Sequence, residues 1–413
     1  KPPSMDTIMP MRMNDIPNVA KIDQIGERCF DEALYDVEKI PEISNESRFP
    51  RLSSNDDGEV FLSWFEKVDS VEWSIKSSIF SNKVWTNPKV ISKSKPYFIN
   101  WADFPSVNNI NQDTLVAHWL EKSGSGTYDY DVHLSFSYDR GSSWSPSEIP
   151  HATVVKGEHG FSSFAIGNNV HDVVWLDGRE MTMGHGKSDY GQMNLYHTTF
   201  STNGVLGEEY LVDAKVCECC PTSSVRYKEN LVIAYRNRDS NEVRDIFIAR
   251  KIGDEWKKPY PAHNDNWKIA GCPVNGPMLT INKSNIALAW YTAANDSAQV
   301  KVAFSKDVGK TFSRPVVIDR TMPIGRVDIE WIDGESVVVS WIRSTEKSSD
   351  ILARVVNINN DLGKVFFVKS IPQGRISGYP QMEVVGEKML FAWTEINKKT
   401  FVATKWLSID KLQ

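Results

Sequence analysis

Short apolar strings ending in an aromatic residue recur along the chain: VFLSW closing on Trp64, LVAHW on Trp119, DVVW on Trp175, LVIAY on Tyr235, IALAW on Trp290, VVVSW on Trp341 and LFAW on Trp393. A four- to five-residue apolar run bounded by polar turns reads as a strand buried on both faces. A repeat of roughly 50 to 60 residues filled with strands reads as a radial array of four-stranded blades. Around each aromatic the same order returns. A first strand follows a turn, as in FPRLSS (49–54), GFSSFA (160–165) and GRVDIEW (325–331). A third strand follows the aromatic one, as in DVHLSFS (131–137) and VKVAFS (300–305), and an outer strand closes the unit, as in KVISK (89–93) and PVVID (315–319). The pattern predicts an all-β fold, a seven-bladed β-propeller of antiparallel blades.

The seventh unit runs out after TFVATKWL (400–407) and lacks an outer strand. Val37-Glu38-Lys39-Ile40-Pro41 resembles the other outer strands, and the expectation is that it completes the last blade, removing an exposed edge. This makes residues 1–36 an N-terminal extension and 37–413 one propeller domain. The start at Lys1-Pro2-Pro3 suggests a trimmed beginning.

Composition narrows the function. With 41% hydrophobic and 24% charged residues the chain is of ordinary globular type. Its net charge of −6 and lack of a basic stripe argue against nucleic acid. No apolar run reaches the roughly 18 residues of a membrane span. There is no phosphate loop, no G-x-S-x-G and no H-E-x-x-H. The expectation is a monomer that takes a small-molecule or glycan ligand.

Two segments carry a family signature. Ser137-Tyr138-Asp139-Arg140-Gly141-Ser142-Ser143-Trp144 fits S-x-D-x-G-x-x-W, and Ser305-Lys306-Asp307-Val308-Gly309-Lys310-Thr311-Phe312 fits with Phe for Trp. Ser77 to Trp85 looks like a degenerate copy. These resemble the Asp box, or BNR repeat, of the sialidase superfamily, and the whole resembles a bacterial group of sialidase-like propellers. The box itself is a structural turn. The resemblance implies a secreted or periplasmic protein that binds or hydrolyses a carbohydrate or other anionic ligand at the channel mouth. It also implies three arginines clamping a carboxylate, a Tyr nucleophile and an Asp acid. Guanidinium forks suit a planar carboxylate. Arg48, in Arg48-Phe49-Pro50, matches the first arginine; Arg236 matches the second and Arg326 the third, with Arg51, Arg238 and Asn275 beside them. Tyr379 stands where the nucleophile is expected, and Asp69 or Asp103 where the acid is. The helper Glu has no counterpart, since Ser224-Val225-Arg226 offers no carboxylate, and the resemblance implies six blades rather than seven.

The cysteines suggest a different chemistry. Cys29 is alone; Cys217, Cys219 and Cys220 cluster; Cys220-Pro221 and Cys272-Pro273 open neighbouring units in the same register. With His159 and the Met181-Thr182-Met183-Gly184-His185 loop, they make a donor set for copper or another soft metal ion, or a redox site. A disulfide between Cys220 and Cys272, a vicinal Cys219–Cys220 disulfide, and free thiols remain open. An interaction scaffold without catalysis is the third reading. Asp177-Gly178-Arg179, Arg236 to Asp239 and Arg244-Asp245, at strand ends, read as interblade salt bridges.

Overall fold

The aromatic-ended strings are the second strands of seven antiparallel sheets arranged as a propeller in the computed structural model, which describes residues 43, 45–181 and 191–412. The first strands are Ser47–Ser54, Ser106–Asn109, His159–Ala165, Ser223–Tyr227, Met278–Asn282, Pro323–Trp331 and Gln381–Val385. They sit innermost and neighbour one another around the ring. Blades 3 to 6 have four strands; the outer edge of blade 1 is split between Val84–Trp85 and Lys89–Lys93; that of blade 2 is a single bridge from Leu134 to Glu148. Among the described residues blade 7 has three strands, and residues 1–36 and the strand expected at 37–41 lie outside them. No helix of the described residues is long and apolar enough to cross a membrane.

The first strands of blades 4 and 5 start later than the sequence suggests, at Ser223 and Met278 rather than at the cysteines. Pro221, Pro273 and Pro277 lack the N–H that a ladder needs, so the segments before them stay as loops at the channel mouth.

Hydrophobic burial lies between blades. Leu52, Leu62, Trp64 and Phe80 of blade 1 pack on Leu390, Val402 and Trp406 of blade 7. Blades 2 and 3 meet through Val132, Phe136, Trp175 and Phe200, and blades 4 and 5 through Ile248, Leu288 and Trp290. The ring also closes by hydrogen bonds between its ends: the Val402 N–H donates to Ser47 Oγ at 2.9 Å and the Phe49 N–H to Thr394 Oγ1 at 2.9 Å.

Every repeated aromatic donates to a carboxylate. In blades 1, 2, 3 and 7 the acceptor lies two residues on: Trp64 to Glu66 (3.1 Å), Trp119 to Glu121 (2.7 Å), Trp175 to Asp177 (2.8 Å) and Trp393 to Glu395 (2.9 Å). In blades 4 to 6 it comes from the preceding blade's outer strand or the loop after it: Tyr235 to Asp213, Trp290 to Asp265 (2.7 Å) and Trp341 to Asp319 (2.7 Å). A buried indole N–H or phenol needs such a partner. Most of these carboxylates also hold a cation, as Asp265 holds Lys301 at 2.5 Å and Asp319 holds Arg343 at 2.9 Å.

The two Asp boxes form as their pattern requires. Asp139 Oδ1 accepts the Ser143 N–H at 2.8 Å, and Ser137 Oγ accepts the Gly141 N–H at 2.7 Å, with Gly141 at φ 78°. Asp307, Thr311 and Gly309 repeat this at 2.9 Å for both bonds, with Gly309 at φ 71°. Where the degenerate copy was expected, Asn82 and Lys83, both at positive φ, make a two-residue hairpin without a carboxylate. The boxes face away from the first-strand starts: Arg140, inside the first, pairs with Glu59, in the turn that ends blade 1's first strand.

Replacing Asp265 by Ala strips the acceptor from Trp290 Nε1 and the counter-ion from Lys301. The expected loss is about 1–3 kcal/mol in urea denaturation, against a far smaller loss for the exposed Asp254. Hydrogen bonds from Ser143 hold the Asp139 carboxyl down at about 2. Its stabilising effect is therefore present above the unfolded value of about 3.9. Asp139→Asn should lower Tm at pH 7, and the difference should shrink as pH falls from about 4 towards 2. A constant difference across that window would contradict the assignment.

Candidate functional site

The channel mouth at the first-strand starts is shaped by a repeated backbone irregularity. Phe49, Phe161 and Arg326 each adopt left-handed φ, at 55°, 53° and 54°, inside bulges of the first strands of blades 1, 3 and 6. Non-glycine residues adopt this conformation only when their surroundings hold them there. Each has its N–H taken by the preceding blade: Phe49 by Thr394, Phe161 by Asp103 Oδ2, and Arg326 by Asn275 Oδ1 at 2.8 Å. Asp103 and Asn275, expected as catalytic acid and ligand contact, are thus engaged as latches between blades. Asp103 is buried, with His118 Nε2 at 3.9 Å.

The expected arginine clamp does not assemble. Arg236 is buried and spends its donors on carbonyls: Nε on Asn275 at 2.9 Å, Nη1 on Arg244 at 2.6 Å and Nη2 on Tyr291 at 2.8 Å. It ties blade 4 to blade 5 with Trp267 under its plane. Arg238 pairs with Glu218 and, at 2.7 Å, with Glu242. Arg48 lies over the Trp73 ring at 4.1 Å. Arg51 is inside the channel, within the field of Asp328, Asp103 and Glu383. Arg326 donates to the Gly378 carbonyl at 2.7 Å and caps the Trp101 ring at 4.5 Å. Tyr379 is buried, stacked on Trp101, with its hydroxyl donating to the Val274 carbonyl; burial pushes its pKa upward, away from a phenolate nucleophile. Asp69 is an exposed turn residue that accepts the Val71 and Glu72 N–H groups at 2.8 and 2.9 Å. The residues expected to form interblade salt bridges at strand ends do otherwise: Arg179 pairs inside blade 3 with Asp177 at 2.7 Å, Arg244 pairs with Glu218 at 2.8 Å, and Asp245 accepts the Trp267 N–H at 3.0 Å.

The cysteines do assemble. All four in the described residues are free thiols, so neither expected disulfide is formed. Cys217 Sγ lies 3.3 Å from Cys220 Sγ and 3.9 Å from Cys219 Sγ. Cys272, on the next blade's loop, faces Cys219 but is not among the three sulfurs that lie within 4.8 Å of one another. Gly276 allows this approach, because a Cβ there would stand 2.1 Å from the Pro221 carbonyl oxygen. Cys217 is fixed by its N–H to the Arg236 carbonyl at 3.0 Å. Arg244 Nη1 touches its sulfur at 3.2 Å and Glu218 Oε2 at 2.8 Å. Burial alone would raise the Cys217 thiol, but bonds from Cys219 and Cys220 and the Arg244 charge outweigh it and pull it well below the usual range. Burial and the neighbouring Cys217 push Cys219 and Cys220 up. One thiolate among protonated thiols is the state this geometry favours. Glu218 was visible inside the CECC string; the Arg244 contact, 27 residues away, was not.

His159 is not part of this cluster. Its ring faces Asp131 at 3.0 Å and Asp177 at 3.5 Å and stacks on His151 with centroids 4.1 Å apart. Met181 packs against the core of blades 3 and 4. Met183 and His185 lie outside the described residues.

Deeper in the channel, burial raises Asp328 to about 7 and Glu383 to about 8. A raised carboxyl favours the fold at low pH, and that benefit is lost as pH climbs through the folded value. Glu383→Gln should therefore raise Tm at pH 9, with the gain fading towards pH 4. A gain that grew on acidification would contradict this.

The architecture defines a seven-bladed propeller with a group of free cysteines at its channel mouth. The chain belongs to the BNR repeat-like domain family, whose model matches residues 45–387. No curated protein matches it by sequence. Among solved structures it is similar to a protein of unknown function from Dyadobacter fermentans, with 15% identity over 91% of this chain and 98% of that one, at a TM-score of 0.50. It is also similar to the polysaccharide lyase Uly1, with 10% identity over 91% of this chain and 92% of that one, at 0.51. A Trypanosoma rangeli sialidase shares 13% identity over 81% of this chain and 56% of its own length, at 0.46.

Proposed function

We propose that this propeller binds a soft metal ion at its channel mouth through Cys217, Cys219, Cys220 and Cys272, in a secreted or periplasmic setting. The observation that carries the reading is the grouping of three free thiols, Cys217, Cys219 and Cys220, whose sulfurs lie within 4.8 Å of one another in the segment between blades 3 and 4. A tetrahedral ion with bonds of about 2.3 Å needs S···S edges of about 3.8 Å; the edges here are 3.3 and 3.9 Å. Thiolate donors select monovalent copper and zinc over hard cations. Arg244 offsets part of the charge that the thiolates bring.

A second reading has a specific observation behind it. Trp101 presents a ring flanked by Arg326 at 4.5 Å and Arg375 at 5.9 Å, on the same mouth. Aromatic rings beside guanidiniums suit an anionic sugar, and the likeness to a polysaccharide lyase and to a sialidase agrees with a carbohydrate-related role. Since the arginine clamp is not assembled, a fluorogenic sialoside should show no turnover.

The test of the metal reading is titration of the reduced protein with monovalent copper and, separately, with zinc. One thiolate-bound ion per chain is expected. At free metal a hundredfold above Kd, binding should stabilise the fold by about 2.7 kcal/mol. Changing Cys217 and Cys219 together to Ser should abolish both effects. If thiol reagents modify the same number of cysteines with and without metal, and none is retained, the reading fails.

A further inference from the structure

Between blades 2 and 3, away from the thiols, lies a second cluster of ligating side chains. Asp131 comes from the third strand of blade 2 (Tyr130–Ser137), His151 from the loop between the blades, and His159 from the start of blade 3's first strand. All three are buried, and one ligand atom of each lies within 4.8 Å of the others. His151, only 7% exposed, has no hydrogen-bond partner on either ring nitrogen, and neither has His159 Nε2. An imidazole so buried and unsatisfied needs an explanation. We propose that Asp131, His151 and His159 form a binding site for a zinc-class divalent cation between blades 2 and 3.

The geometry supports this. A tetrahedral ion with bonds of about 2.1 Å to nitrogen and oxygen needs ligand edges of about 3.4 Å. Asp131 Oδ1 lies 3.0 Å from His159 Nδ1 and 3.5 Å from His151 Nε2. The other nitrogen of His159 faces Asp177 Oδ1 at 3.5 Å. Asp177 is itself held by Trp175 at 2.8 Å and by Arg179 at 2.8 and 2.7 Å. A small turn of the ring on metal binding would let this nitrogen donate to Asp177, the carboxylate partner that a ligating histidine commonly has. The loop bearing His151 is tied down as well: the Ala152 N–H donates to Glu209, which pairs with Arg179 at 3.1 Å.

A donor set of two imidazoles and one carboxylate suits zinc, nickel or cobalt rather than calcium or magnesium. Three protein ligands leave one position for water. This site does not rest on the thiol reading.

The test uses the reduced full chain and divalent cobalt as a coloured stand-in for zinc. In the variant with Cys217 and Cys219 both changed to Ser, which removes the thiol site, one equivalent should give tetrahedral d–d absorption without a thiolate-to-cobalt band. The same signal should weaken by about 100-fold in affinity, or vanish, when His151→Ala is added, and zinc should raise the Tm of the wild-type protein. His151→Asn serves as a second variant, and far-ultraviolet circular dichroism checks that each is folded. Cobalt absorption arising only with the thiolate band, wild-type affinity in a folded His151 variant, or a zinc response lost in the double Ser variant and kept with His151→Ala would each overturn the site. A Tm indifferent to zinc, with no retained ion, would do the same.

Discussion

The donation of each repeated ring to a carboxylate is the constraint on which the rest of this propeller hangs. Seven large rings fill the spaces between blades, and six of them carry an indole N–H into a place that water does not reach. Leaving one unpaired would cost about 1–3 kcal/mol, against a total stability of about 5–15 kcal/mol. The carboxylate that satisfies the ring is itself a buried charge, so it recruits a cation: Lys76 for Glu66, Arg179 for Asp177, Lys301 for Asp265, Arg343 for Asp319. In most blades ring, acid and base thus come as a unit, placed at the end of the second strand. In blades 4 to 6 the acid comes from the blade before, so the same unit also fixes neighbouring sheets to each other.

That unit determines what is available at the mouth. The second strand ends where the first begins, so the acids and bases of the interblade units crowd the place where a sialidase-like clamp would be built. Arg179 and Arg343 are absorbed by it. Arg236 is absorbed by carbonyls exposed where blades 4 and 5 meet, and Asp103 and Asn275 by the N–H groups of bulged residues. Bulges of this kind re-aim side chains; here one of them turns Arg326 onto Trp101.

Much of the fold was legible because packing writes periodic sequence. A strand buried on both faces must be apolar, and its final ring must be large, so the register of Trp64 to Trp393 can be counted directly. The acids at Glu66, Glu121, Asp177 and Glu395 stand two residues after their rings and were within sight of the same strings. Asp213, Asp265 and Asp319 were not, since they belong to the previous unit. The site was less legible. Residue type and rough position place an arginine at the mouth, but whether its donors are free depends on carbonyls such as those of Asn275 and Tyr291, which carry no sequence signal. The equivalence read between Cys220 and Cys272 does not hold: Ser223 and Met278 pair with Ala234 and Ala289, each one residue before its ring, so Cys272 corresponds to Cys217 rather than to Cys220. The contact of Arg244 with Cys217, and that of His151 with Asp131, join segments that only the closed fold brings together.

Accounting for donors and acceptors then separates structure from chemistry. A guanidinium that meets three carbonyls, or two carboxylates, is already solvated by protein and gains little from a ligand. A thiol is a weak donor and a weak acceptor, so the contacts of Cys217 with Cys219 and Cys220 satisfy little and cost little to exchange. Among the groups at this mouth the thiols lose least on meeting a metal ion, and they gain the most from one. The same reasoning applies to His151, whose nitrogens have no hydrogen bonds to give up. The polar residues that look catalytic by type hold this propeller together, and the binding proposed for it draws on the side chains that the fold leaves weakly engaged.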